Sequence, residues 1–201
     1  DFLIANNGAT ICDGRGKLLE STECMGDYIE ELISFLFSED CVQARVHSRY
    51  GQFIVKKDTE TLCDNEIYLS SFPKIESFYQ VSALFLQPNE AMNTAQKIRE
   101  KFPLLYNPLN NRCWIDIVTL NMCKSEGIHS LEKIYGINSR DIITLGDSEN
   151  DIDMLKNFRS FAMENALDIT KEAADNVISG ITELIYNELN RGVDMEDLII
   201  I

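Results

Sequence analysis

The chain has 201 residues, with 33 acidic against 18 basic side chains and a formal net charge of -15. That length holds one good core or two small lobes, and 45% hydrophobic with 25% charged residues is an ordinary soluble globular composition. The acidity argues against a general nucleic-acid surface, which needs a basic patch. No apolar run nears the roughly 18 residues of a membrane span. Asp1-Phe2-Leu3-Ile4-Ala5 lacks the basic start and cleavage pattern of a signal peptide. Cys12, Cys24, Cys41, Cys63, Cys113 and Cys123 form no C-x-x-C pair, and only two histidines accompany them. They are therefore read as free thiols in a reducing cytoplasm rather than as disulfides or a zinc site.

Phe2 to Ala5 reads as a short buried strand ended by Asn6-Asn7-Gly8. Thr10 to Cys12 and Lys17 to Leu19 flank a glycine turn and predict a hairpin. Met25, Ile29, Leu32, Ile33, Leu36 and Phe37 have helical spacing over 24–38. Val42, Ala44 and Val46 alternate with polar residues and, with Phe53 to Val55, predict a second hairpin. The stretch 58–78 carries no clear period. A strand over 81–86, a helix from Pro88 to about Lys101, and an antiparallel pair around the polar turn 107–112 complete an α+β module. His47 and His129 have no evident sequence partner and are read as surface or packing residues, and Trp114 as core.

From residue 125 the pattern changes. A helix over 125–135 stops at Gly136, and Ile142-Ile143-Thr144-Leu145 is apolar enough to be buried on both faces. A helix around 152–158, a strand at 160–163, a short helix at 169–174, a strand at 177–178 and a helix over 181–189 follow. This βαβαβα order implies a parallel sheet. The division expected is 1–9 with 119–192 as an α/β layer, 10–118 as the inserted module, and 193–201 as an apolar tail that forms an edge strand, packs, or makes an interface.

Gly146-Asp147-Ser148-Glu149-Asn150-Asp151 follows the most apolar strand. Ligands of open α/β sheets bind beyond the carboxyl ends of the strands. Asp147 and Asp151, four apart with Asn150 between them, offer oxygen ligands of the kind that suit Mg²⁺, and such a cation would orient a phosphoryl group. The same residues also make a good helix cap with no metal. Lys124, at the junction before a helix, is either a partner for phosphoryl oxygen or loop carboxylate, or a surface lysine. Asn7 and Asn165 each follow a strand and are either turn formers or ligand contacts.

Taken together, Asn7-Gly8-Ala9, Lys124, Gly146-Asp147-Ser148-Glu149-Asn150-Asp151-Ile152-Asp153-Met154-Leu155 and Met163-Glu164-Asn165-Ala166 resemble the haloacid-dehalogenase-like hydrolases, specifically the Cof-type phosphatases. The resemblance covers the chain to about residue 190. It implies an α/β fold, a parallel-sheet core with an inserted α+β cap domain at 10–118, and a Mg²⁺-dependent phosphomonoesterase acting on sugar phosphates or similar small metabolites. By the same resemblance Asp147 is the metal aspartate, and Lys124 steadies the phosphoryl group. Asp151 supports the metal shell or the lysine, while Asn7, Asn150 and Asn165 contact substrate or phosphate. Such proteins open with a strand and D-x-D-G-T carrying the nucleophile, which this chain lacks, and Glu164 stands where glycine is usual. The core is accordingly expected to be incomplete, and the chain to be either most of a phosphatase or a non-catalytic binding module. The open sheet would be poorly protected unless an upstream segment, a second copy or the apolar tail fills the gap.

Overall fold

A computed structural model describes residues 2–57, 60, 62–63, 66–191 and 199–201. The chain divides into two compact units, Asp1–Cys123 and Lys124–Ile201. In the first, β1 (Phe2–Ala5), β2 (Thr10–Asp13) and β3 (Leu18–Ser21) form an antiparallel sheet. The first strand, expected with 119–192, thus pairs with its sequence neighbour inside the first unit. The turn between β1 and β2 runs through left-handed backbone at Asn6 (φ 51) and Asn7 (φ 52), a conformation asparagine tolerates better than most side chains.

The larger sheet of this unit has the order β10-β11-β9-β5-β6-β7. Its strands are β5 (Gln43–Ser48), β6 (Gly51–Lys56), β7 (Glu66–Tyr68), β9 (Gln80–Leu84), β10 (Tyr106–Asn111) and β11 (Trp114–Thr119). Period-two alternation puts Val46, Val81, Ala83, Ile115 and Ile117 on one face, where they pack with Leu32, Ile33 and Leu36 of α1 (Ile29–Ser38) and with Ile98 of α2 (Pro88–Lys101). The opposite face carries the polar set Arg45, His47, Gln80, Ser82 and Asp116.

Three expectations shift. The helix expected over 24–38 starts at Ile29, because β4 (Cys24–Met25) pairs with β8 (Ser77–Phe78). Gly26 then lies so close to that segment that a Cβ would sit 2.0 Å from the Ile75 carbonyl oxygen. The expected turn over 107–112 is strand as far as Asn111, and Arg112 (φ 55) takes the reversal. Trp114, read as core, is half-buried on the polar face, with the Arg45 guanidinium 4.9 Å from its ring.

The second unit is a parallel sheet of order β14-β13-β12-β15. It comprises β12 (Ile142–Gly146), β13 (Arg159–Met163), β14 (Asn176–Ile178) and β15 (Ile199–Ile200), with α3 (Lys124–Tyr135), α4 (Ile152–Asn157), α5 (Asp168–Ala173) and α6 (Ile181–Asn190). Residues 193–198 of the expected tail lie outside the described residues, whereas 199–201 form the edge strand. Ile142 pairs with Ile199 and Ile143 with Ile200. The Leu145 amide donates to the Ile201 carbonyl at 2.7 Å, and the Ile201 amide to the Ile143 carbonyl at 2.9 Å. Ile200 also packs on the cluster of Ile143, Phe161, Ile178 and Leu184. The strand that ends at the acidic loop therefore has backbone partners on both sides.

Helix α6 is pinned by Glu188, 1% exposed, whose carboxylate accepts from both terminal nitrogens of Arg159 on β13 and from Arg191 at 3.3 Å. All six cysteines are free thiols, and burial pushes Cys24 and Cys41 up to about 12. Those two stay protonated at neutral pH and serve as core. Among the described residues no helix is long and apolar enough to cross a membrane.

Two outcomes follow from the second unit. Deleting residues 199–201 removes the acceptor of the Leu145 amide, and hydrogen exchange there should quicken by about tenfold or more. Unchanged protection at Leu145 would refute the pairing. The Arg159 hydrogen bonds hold the Glu188 carboxyl below its ordinary 4.5. A depressed native value means that this stabilisation is full above 4.5 and lost as pH falls through the native value. Glu188→Gln should flatten that acid limb in denaturation series and cost about 2 kcal/mol at pH 7, discounted because Arg159 is partly exposed.

Candidate active site

The apolar run of β12 delivers Gly146 and Asp147 to its carboxyl end, and a single helical turn, Glu149–Asp151, leads into α4. Ser148 and Asp151 form a capping box, with the Asp151 carboxylate reaching back to the Ser148 amide. Asp151 Oδ2 accepts from the amides of Asp147 at 2.9 Å and Ser148 at 3.0 Å. Its Oδ1 accepts from Nζ of Lys124, the first residue of α3. The carboxylate is 6% exposed and the lysine 31%. The helix-cap and lysine-partner readings of this loop are therefore both realised, by the two oxygens of one carboxylate.

Gly146 is required by proximity. A Cβ there would sit 2.5 Å from Asp151 Cβ and 2.9 Å from its Cγ, inside any tolerable contact. Asp147 is half-buried, and Ser148 Oγ donates to its Oδ1 at 3.3 Å. Asn150 is buried in the helical turn. The Asp147 carbonyl accepts from the Leu167 amide at 3.4 Å, which ties the acidic loop to the turn after β13. That turn carries Glu164 and Asn165, both exposed. The second unit thus brings Lys124, Asp147, Asn150 and Asp151 together and sets Asn165 on the adjoining loop.

Because both Asp151 oxygens are held by three donors, Asp147 is the loop carboxylate suited to meet a cation. Among the described residues no three His, Cys, Asp or Glu side chains converge as a metal cage. A carboxylate at a strand end is of the kind that Mg²⁺ accepts, since that cation keeps several waters and is commonly held by one or two carboxylates plus substrate phosphate.

Asn7 belongs to the first unit, in a buried network that sequence reasoning missed. Its Nδ2 donates to Gln80 Oε1 at 2.9 Å and to Asp116 Oδ2 at 3.0 Å. Asp116 Oδ1 accepts from Gln80 Nε2 at 2.9 Å and Ser82 Oγ at 2.6 Å. Nearby, burial holds the His47 imidazole below its ordinary value, opposed by the Asp116 charge. The available signal was an aspartate inside the apolar strand Trp-Ile-Asp-Ile-Val. His129 does have a partner, Glu132 Oε2 at 2.7 Å, and its ring lies 5.1 Å from that of Phe158.

Comparison with known proteins decides the family. The sequence profile of the haloacid dehalogenase-like hydrolases matches residues 1–183. The chain belongs to that family. An uncharacterized protein of Mycoplasma capricolum is 27% identical over 172 residues, covering 79% of this chain and 64% of the relative. The Escherichia coli 5-amino-6-(5-phospho-D-ribitylamino)uracil phosphatase YbjI is 24% identical over 172 residues, covering 81% of this chain and 63% of the relative. The chain therefore spans just under two thirds of the length of these curated relatives. Among solved structures, Streptococcus mutans SMU.1108c superposes with a TM-score of 0.80 at 23% identity, covering 94% of this chain and 77% of that one. The subclass IIB sugar phosphatase BT4131 does so at 0.77 and 18%, covering 96% and 76%. At these identities the structural likeness establishes the haloacid-dehalogenase-like fold. The profile match ends before Ile199, so the edge strand β15 lies beyond the part of the chain matched to the family.

The close approach at Gly146 is directly testable. Gly146→Ala should destabilise the second unit by about 2–3 kcal/mol, because neither backbone nor Cβ can yield cheaply. A urea midpoint equal to that of the parent would show that the loop relaxes away from Asp151.

Proposed function

We propose that this chain is the greater part of a Cof-type phosphatase, which in its whole form hydrolyses phosphomonoesters of sugars or similar small metabolites with Mg²⁺. The observation that carries the reading is the Lys124–Asp151 pair built into the loop that presents Asp147 at the end of β12. Membership of the hydrolase family and the phosphatase name of YbjI support the same reaction class.

In this reading Asp147 is a ligand of Mg²⁺, and the cation supplies charge neutralisation of a bound phosphoryl group. The remaining work falls to the chain itself. Lys124 holds its ammonium at the loop and offers N–H donors to phosphoryl oxygens or to the attacking carboxylate. Asp151 holds that ammonium in place, and through its other oxygen fixes the backbone that carries Asp147. Asn150 and Asn165 border the same mouth as candidate substrate contacts. The first unit serves as the cap that selects the substrate, and Asn7 shapes its entry strand rather than donating to ligand, since its Nδ2 group is given to Gln80 and Asp116. The covalent step needs an aspartate nucleophile of the D-x-D-G-T kind. The 201 residues contain no such motif, so turnover is proposed for the whole protein. Small phosphorylated metabolites, not nucleic acid or membrane, are the expected partners, in the cytoplasm.

The test is phosphate release by the natively expressed protein from a panel of sugar phosphates, with Mg²⁺ and with a chelator. Asp147→Asn should lower kcat/KM by about 10²–10³-fold. Phosphate or vanadate binding without turnover in the intact gene product would instead establish a non-catalytic binding module. Turnover indifferent to both Mg²⁺ and Asp147 would remove the proposed mechanism.

A further inference from the structure

The two carboxylates at the start of α4 act on two consecutive residues of α3. Asp151 takes the ammonium of Lys124. Asp153, two positions on, points its Oδ2 at the backbone amide of Ser125 and accepts from it at 2.8 Å. Ser125 is the second residue of α3 and is 4% exposed. The first amides of a helix have no acceptor within their own helix. Here one of them is met by a carboxylate from a different helix, and that carboxylate also sits at the positive end of the α3 dipole.

We propose that Asp153 is a positioning residue, which anchors the first turn of α3 and thereby fixes where the Lys124 side chain starts from. The inference rests on the role given above to Lys124 and Asp151. A lysine has a flexible four-carbon stem, so one ion pair leaves its backbone origin free to move. An acceptor bonded to the next residue's amide removes that freedom. α4 then holds α3 at the tip of the lysine and at its root. Misplacing a reacting group by about 1 Å can cost about 10²-fold in rate, so the root contact matters as much as the tip. The geometry also explains an acidic residue that neither the metal nor the cap reading of the loop required.

The experiment uses the full chain, with Asp153→Ala and Asp153→Asn beside the parent. Asparagine keeps an oxygen that can accept from Ser125, and alanine does not. Two readouts are taken: amide exchange at Ser125, and reductive methylation of Lys124 relative to Lys133 on the far end of α3. Asp153→Ala should raise both the Ser125 exchange and the Lys124-to-Lys133 methylation ratio by about five-fold, while Asp153→Asn stays at the parent values. A folded Asp153→Ala protein with neither quantity changed would overturn the proposal. So would an Asp153→Asn protein that behaves like the alanine variant, because then charge and not the hydrogen bond is responsible. If Asp153→Ala does not fold, Asp153→Asn decides alone: parent values at Ser125 and Lys124 support the anchor, and raised values overturn it. Neither readout needs turnover. Failure of the phosphatase reading, seen in phosphate release, is therefore distinguished from failure of the anchor.

Discussion

The carboxylate of Asp151 is buried and shared by three donors: the ammonium of Lys124 and the amides of Asp147 and Ser148. A charge at that depth persists only when its partners replace the water it has lost. The rest of the site follows from meeting that need. Gly146 must lack a side chain for the carboxylate to come so close to the strand end. Ser148 must be an extended cap residue, α4 must begin where it does, and α3 must start at Lys124. Removing the lysine would leave the buried carboxylate with only its two amide donors, a loss smaller than the roughly 3–5 kcal/mol of a fully unpaired buried charge. The order of the loop backbone and the placement of the lysine are therefore coupled, since the two oxygens of one carboxylate hold both.

The same economy of polar burial appears independently in the first unit. Asp116 lies among Ile115, Ile117 and Val118 and is accommodated because Asn7, Gln80 and Ser82 supply its donors. The alternation of a β-strand sends its neighbours into the apolar cluster beneath α1 and α2, and sends Asp116 to the other face. A fully satisfied network of this kind specifies one arrangement of the β1–β2 turn against the sheet, because a half-satisfied one would be worse than none.

Much of the fold was legible in the sequence. The helix over Pro88–Lys101 was readable from its proline start and period, and α3 from its period and the glycine beyond it. The parallel order of the second unit was readable from apolar strands alternating with short helices. The acidic loop was legible as a candidate site, or as a helix cap, because a glycine, two aspartates and an asparagine stand directly after the most apolar strand. What escaped notice depended on contacts between segments far apart in the chain. The late start of α1 depends on a two-residue ladder with Ser77–Phe78, and the Asp116 network joins residues as many as 109 positions apart. Local period carries no trace of either.

Residue pattern by itself determined the parallel sheet and marked Lys124, Asp147 and Asp151 as candidates, since each is encoded within a few residues, whereas the chemistry expected of them came from the resemblance of these motifs to a known family. It left two readings of the loop open and gave the apolar tail three fates. Only the tertiary structure decided these. It put the two oxygens of Asp151 to different uses, so that cap and lysine partner coexist. It also laid Ile199 and Ile200 beside Ile142 and Ile143, giving β12 a second neighbour. The physical reason is common to both. A buried carboxylate and a strand edge each need partners, and which distant group supplies them is settled by the packing of the whole unit.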